Sequence, residues 1–221
     1  PSDASQGSVL ANVAYNIKEW KKVAVIQEQL DYPLGIYIAF KASFEGLGGE
    51  VVRETFAPET SDFRTVLTKL EESGSDALLI SVQTPAAAET MLKQLSDIDW
   101  KPNLIGADVI PGSDIPHENP ELVEGMIAAE FGVDEENPKF KTFAASYLKL
   151  HGEDVPFKSY AQTEYDAVYV LAEALKAVGH TQVRLQPVLA RERSSFGNAA
   201  ELLLKLADFF LDFVLVDAIF G

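Results

Sequence analysis

Cysteine is absent from this chain of 221 residues, which excludes disulfide scaffolds, thiolate catalysis and Cys-ligated zinc. Basic residues are scarce: 18 Lys and Arg stand against 34 Asp and Glu, a formal net charge of −16. Nucleic acid and anionic membrane surfaces select for Lys and Arg, so neither is an expected partner. The acidic surface is read as serving solubility. Histidine is rare, and His117, His151 and His180 lie too far apart for ligand-like pairing, so each reads as a surface or turn residue. Neither a Gly-x-Ser-x-Gly elbow nor a Gly-x-x-x-x-Gly-Lys-Ser/Thr loop occurs, and no pair of carboxylates stands in a defensible acid–base geometry. The chain is therefore read as a non-enzyme that calls for no cofactor and no metal. Residues 1–20 carry neither the basic start nor the apolar stretch of a signal peptide. Pro1 is an implausible natural start, so the chain is expected to be processed or cut from something longer.

What is present is an ordinary globular composition, 47% apolar and 24% charged, at a length that suits one large domain or two small ones. Short β-branched runs alternate with stretches of helical spacing, the pattern of βαβ units and a parallel sheet. Ser2-Asp3 is read as the cap of a first helix reaching about Trp20, with Val9, Val13 and Ile17 on one face. Val23 to Ile26 then forms a strand with no polar interruption, as expected where both faces are covered. A helix follows from about Pro33 to Leu47, then a strand from Val51 to Phe56. Asp62 is read as the cap of a helix ending at Gly74, and Ala77 to Val82 as the third strand. Pro85 opens a helix through about Ile98 that carries Ala88, Met91, Leu92 and Leu95 inward. Short strands at Asn103 to Gly106 and Met126 to Glu130 precede helices from Asn137-Pro138 to Leu150 and from Ser159 to Val178. The expected fold is thus α/β, a doubly wound parallel sheet with helices on both faces and extra helices towards the C-terminus.

Gly46-Leu47-Gly48-Gly49 faintly resembles a dinucleotide loop, but it follows a helix and precedes a strand, the wrong order for phosphate binding, and is read as a helix C-cap. Past Gly179 the character changes. Arg184, Arg191 and Arg193 crowd one stretch, and residues 201–220 are very apolar. Five charges in that last stretch, at Glu201, Lys205, Asp208, Asp212 and Asp217, argue against a membrane span and for a helix buried on most of its surface or packed against a partner.

Topology points to a binding edge. In open parallel sheets ligands sit beyond the carboxyl ends of the strands. There the sequence places Asp31-Tyr32 after the first strand, Gln83-Thr84 after the third, and Ala107-Asp108 after the fourth. An aromatic face, a hydroxyl, helix N–H groups and one carboxylate suit a small zwitterion, with Asp108 pairing an ammonium and Tyr32 covering an apolar side chain. The alternative is that Asp108 is a loop or capping aspartate and Tyr32 merely packs.

Five segments follow one another at a specific spacing: Trp20 to Ile26 followed by Asp31-Tyr32 and Gly35; Phe44 with Gly48-Gly49-Glu50-Val51-Val52; Asp62-Phe63 with Leu67 and Leu70; Ser75-Asp76-Ala77; and Tyr160-Ala161 with Tyr165-Asp166-Ala167 and Leu171. In that order and spacing they resemble the leucine/isoleucine/valine-binding (type I periplasmic) solute-binding proteins of ABC transporters. The resemblance covers about residues 1–178. It implies one lobe of a two-lobed extracytoplasmic binder that closes on a ligand and presents it to an ABC permease. Tyr32, Thr84 and Asp108 match positions that line the family's cleft, with Gln83 and Ala107 beside them. Asp108 stands where amino-acid binders commonly carry a glutamate, and Thr84 where a larger, often aromatic residue is common. The family's opening segment, which builds most of the first lobe, has no counterpart here, and its Gly-rich closing segment is unrecognisable after Gly179.

These readings divide the chain into a crossover helix at 1–20, a Rossmann-like second lobe at 21–155, and a helical remnant of the first lobe at 156–221. The ligand implied is a small amino acid or amide. Other expectations stay open: a sensor or regulator module on the same fold, or a fragment that binds nothing and dimerises through its apolar C-terminal helix.

Overall fold

The computed structural model describes residues 3–178; His180, Arg184, Arg191, Arg193 and the apolar stretch 201–220 lie outside them. The chain divides into two compact units, Pro1–Ser159 and Tyr160–Gly221. The first unit holds five strands, β1 (Lys22–Glu28), β2 (Glu50–Phe56), β3 (Ala77–Ser81), β4 (Asn103–Gly106) and β5 (Ile127–Ala128). All pair in parallel in the order β2-β1-β3-β4-β5. The order reverses between β1 and β3, which is the switch point of a doubly wound sheet.

The central strands β1 and β3 are buried because both of their faces are covered, whereas the edge strand β2 carries Glu50, Arg53 and Glu54. In β1, Val23 and Val25 point to one side and Ala24 and Ile26 to the other, all fully buried. Ala77 and Leu79 of β3 share the first side, and Leu78 and Ile80 the second. The first side packs on α1 (Asp3–Asn12) and α2 (Asp31–Gly46) through Leu10, Ala11, Ile36, Phe40 and Phe44. The second packs on α3 (Arg64–Glu71) and α4 (Pro85–Asp97) through Leu67, Leu70, Ala88, Met91, Leu92 and Leu95. This is the expected α/β layer with helices on both faces.

Local chemistry sets most boundaries. Thr84 caps α4, its hydroxyl oxygen accepting from the Ala87 N–H at 3.3 Å, with Pro85 next in line. Past the short helix α5 (Ile115–Glu118), α6 (Pro138–His151) starts on Asn137, which accepts from the Lys139 N–H at 3.0 Å, and stops at Gly152 with φ 76°. α2 ends as the C-cap expected: Gly48 has φ 97°, and the Gly49 N–H bonds to the Phe44 carbonyl at 3.0 Å. The last described helix is α7 (Lys158–Val178).

Four expectations change. The first helix runs on through one π-helical turn, Val13–Ile17, and its stripe of Val9, Val13 and Ile17 is not the buried one: Val9 is 56% and Ile17 71% exposed. Gln6, Gly7, Leu10, Ala11 and Ala14 face inward instead. A Cβ on Gly7 would lie 2.6 Å from the Ile36 carbonyl oxygen and 2.7 Å from the Phe40 nitrogen, so close approach of α1 to α2 selects the face with small residues. Asp62 does not cap α3; Phe63 holds that position, and Asp62 accepts from Arg64. α2 begins two residues before Pro33, which makes Asp31 and Tyr32 helical. β5 is shorter than expected, two residues long, because it pairs only with Ile105 and Gly106 at the sheet edge.

Candidate functional site

The carboxyl ends of β1, β3 and β4 meet at one edge. β1 and β4 flank β3, so they stand about 10 Å apart, two strand spacings. Asp108, two residues past β4, is only 4% exposed. Its Oδ1 accepts the hydroxyl proton of Tyr32, from the first turn of α2. Its Oδ2 accepts from the Gln6 side-chain amide at 2.8 Å, and its backbone N–H donates to Gln6 Oε1 at 3.3 Å. A buried carboxylate thus rests on two neutral donors, and no lysine or arginine among the described residues forms an ion pair with it. A carboxylate has about four acceptor positions, so lone pairs remain after these two bonds.

Of the other sequence candidates, Ala107 is buried in the α1–α2 side of the core, where it fixes the course of the chain into Asp108. Gln83 and Thr84 lie exposed on the β3–α4 loop. The Gln83 N–H donates at 2.7 Å to Glu28 Oε2 at the end of β1, tying together the two loops that flank the switch point. Thr84 caps α4. Tyr32 and Asp108 are therefore brought into contact, while Gln83 and Thr84 border the same edge on the neighbouring loop.

Sequence reasoning missed Gln6 and Glu28. Glu28 is 3% exposed, a carboxylate at the end of an otherwise apolar strand, and that position was its signal. Gln6 shares an i, i+4, i+8 stripe with Leu10 and Ala14. That stripe competes with the bulkier one at Val9, Val13 and Ile17, so the inward polar residue was hidden. An open cleft of about 640 Å³ lies elsewhere and includes none of the five candidates. Two of its acidic groups are already engaged, Glu130 by the Ser159 hydroxyl at 2.9 Å and Glu135 by Lys158 at 2.8 Å. Among the described residues no group of His, Asp or Glu is placed to hold a metal ion.

In open doubly wound sheets, polar groups gathered beyond the carboxyl ends of the strands mark the edge at which ligands bind, and this chain has that arrangement. Residues 1–193 match the pattern of the periplasmic binding proteins, and the chain belongs to that family. The Leu/Ile/Val-binding protein BraC3 of Rhizobium johnstonii is 25% identical over 182 residues, 81% of this chain and 48% of the relative. The chain spans about half the length of the curated relatives it matches. The branched-chain amino acid transporter substrate binding protein LivJ from Streptococcus pneumoniae, solved in complex with isoleucine, is 26% identical with a TM-score of 0.62, over 78% of this chain and 49% of LivJ. A solute binding protein of R. palustris, solved in complex with 4-hydroxybenzoate, shares the fold with a TM-score of 0.67 at 23% identity, over 81% of this chain and 50% of its own.

Proposed function

We propose that this chain supplies one lobe of an extracytoplasmic solute-binding protein that captures a small amino acid or amide and hands it to an ABC permease. The observation that carries this reading is the Asp108 carboxylate, buried at the sheet's carboxyl edge with neutral donors and no cation partner among the described residues. A buried charge is costly without a partner of opposite sign, and a ligand ammonium supplies one. The Tyr32 ring, half-buried and anchored through its hydroxyl, offers an apolar face beside that charge. The likeness to isoleucine-bound LivJ and to Leu/Ile/Val-binding relatives supports the same ligand class. An aromatic acid such as 4-hydroxybenzoate brings a second negative charge and no ammonium, and Asp108 disfavours it.

The test is a titration of the chain with L-isoleucine and 4-hydroxybenzoate to millimolar concentration, followed by amide chemical shifts and thermal unfolding. The expected result is saturable shifts and a raised unfolding temperature with isoleucine alone. Asp108→Asn should weaken isoleucine at least tenfold, the scale of one charge-assisted bond. Binding of 4-hydroxybenzoate in preference to isoleucine, or an Asp108→Asn chain as strong as the wild type, refutes the assignment.

A further inference from the structure

We propose that Gln6 is a positioning residue for the ligand ammonium: it fixes the Asp108 carboxylate as a neutral partner and leaves the negative charge to the ligand. The inference rests on the amino-acid reading above and extends it to a residue of α1, 102 positions away in sequence.

The two bonds between Gln6 and Asp108 run in opposite directions. Nε2 donates to Oδ2, and Oε1 accepts from the Asp108 backbone N–H. A reversed amide would set Oε1 against a carboxylate oxygen and Nε2 against an N–H, so the donors and acceptors admit one orientation only. The clamp therefore fixes both the backbone and the side chain of Asp108. Gln6 is itself held, because its neighbour Gly7 seats α1 directly on the α2 backbone at Ile36 and Phe40. Tyr32 secures the other carboxylate oxygen.

The choice of residue type matters as much as the geometry. Lysine or arginine at position 6 would also donate to Oδ2, but would neutralise Asp108 from within the protein. Glutamine supplies the hydrogen bonds without the charge. The residue at position 6 thus decides whether the lobe selects a cationic group on its ligand.

The experiment compares L-isoleucine with 3-methylpentanoate, the same carbon skeleton without the amino group, in the full chain and three variants. Gln6→Met removes both bonds at similar length. Gln6→Lys keeps a donor at Oδ2 and so preserves the fold by an ion pair, while filling the place of the ligand charge. Asp108→Asn sets the level expected when the carboxylate is lost. The expected result is a preference for isoleucine that falls about tenfold in Gln6→Met and further in Gln6→Lys, with 3-methylpentanoate affinity held within about twofold. Equal loss of both probes would mean that Gln6 only supports the fold, and overturns the proposal. So does an unchanged preference in both Gln6 variants when Asp108→Asn abolishes it, which leaves the amino-acid reading standing. A preference that survives Asp108→Asn, or that the wild-type chain never shows, removes the amino-acid reading and this inference together.

Discussion

Replacing Gly7 by alanine sets two known effects of opposite sign against each other. In an open helix interior the change stabilises by about 1 kcal/mol, because alanine restricts the unfolded chain and suits the helix. Here the added methyl would lie 2.6 Å from the Ile36 carbonyl oxygen, 2.7 Å from the Phe40 nitrogen and 2.8 Å from the Ala39 Cβ. Two of these three atoms are backbone of α2 and cannot swing aside, so the helices must separate. Overpacking of this kind costs about 1–3 kcal/mol. Separation also stretches the Gln6 clamp on Asp108, a pair of bonds each contributing about 1 kcal/mol or more. The net expectation is a loss of about 1–2 kcal/mol. Urea unfolding followed by tryptophan fluorescence measures it well, since Trp20 packs against the α1–α2 side of the core and Trp100 against the other. The midpoint should fall with an unchanged slope. A Gly7→Ala chain more stable than the wild type would show that α1 and α2 are not in close contact, and the account of the inward face would fail.

Two further substitutions probe the same packing from elsewhere. Ile17→Lys should change stability by less than about 0.5 kcal/mol in urea titration, because Ile17 is 71% exposed; a loss of about 2 kcal/mol or more would place that stripe in the core instead. Gln94→Leu should cost about 1–3 kcal/mol in the same assay, because it strands the buried Phe63 N–H, bonded to Gln94 Oε1 at 2.6 Å, and the Ser61 carbonyl, bonded to Nε2 at 2.9 Å. An unchanged unfolding midpoint there would show that the loop before α3 does not depend on that clamp.

Much of the molecule was legible from the amino acids alone, because its signals are local. The uninterrupted apolar run at Val23–Ile26 announces a strand covered on both faces, the expected strand Ala77–Val82 forms as Ala77–Ser81, and the structure buries every one of those residues. Pro85 after Thr84 and Pro138 after Asn137 start helices where the chain places them, since capping involves residues within one turn. The alternation of these units carried the α/β architecture, and with it the edge at which Tyr32 meets Asp108.

Tertiary structure decided what depends on a distant partner. Periodicity offers α1 two faces, and its bulkier stripe at Val9, Val13 and Ile17 gives way to the one with Gly7, Ala11 and Ala14, because α2 approaches too closely for larger side chains. That rotation turns Gln6 inward onto Asp108 and converts a lone loop aspartate into a clamped, buried carboxylate. Likewise Glu28 acquires its role only when β1 and β3 pair and bring the Gln83 N–H within 2.7 Å. A sequence fixes which residues can fill a face, but the separation between packed elements determines which face is filled, and that separation is set by backbone atoms far along the chain.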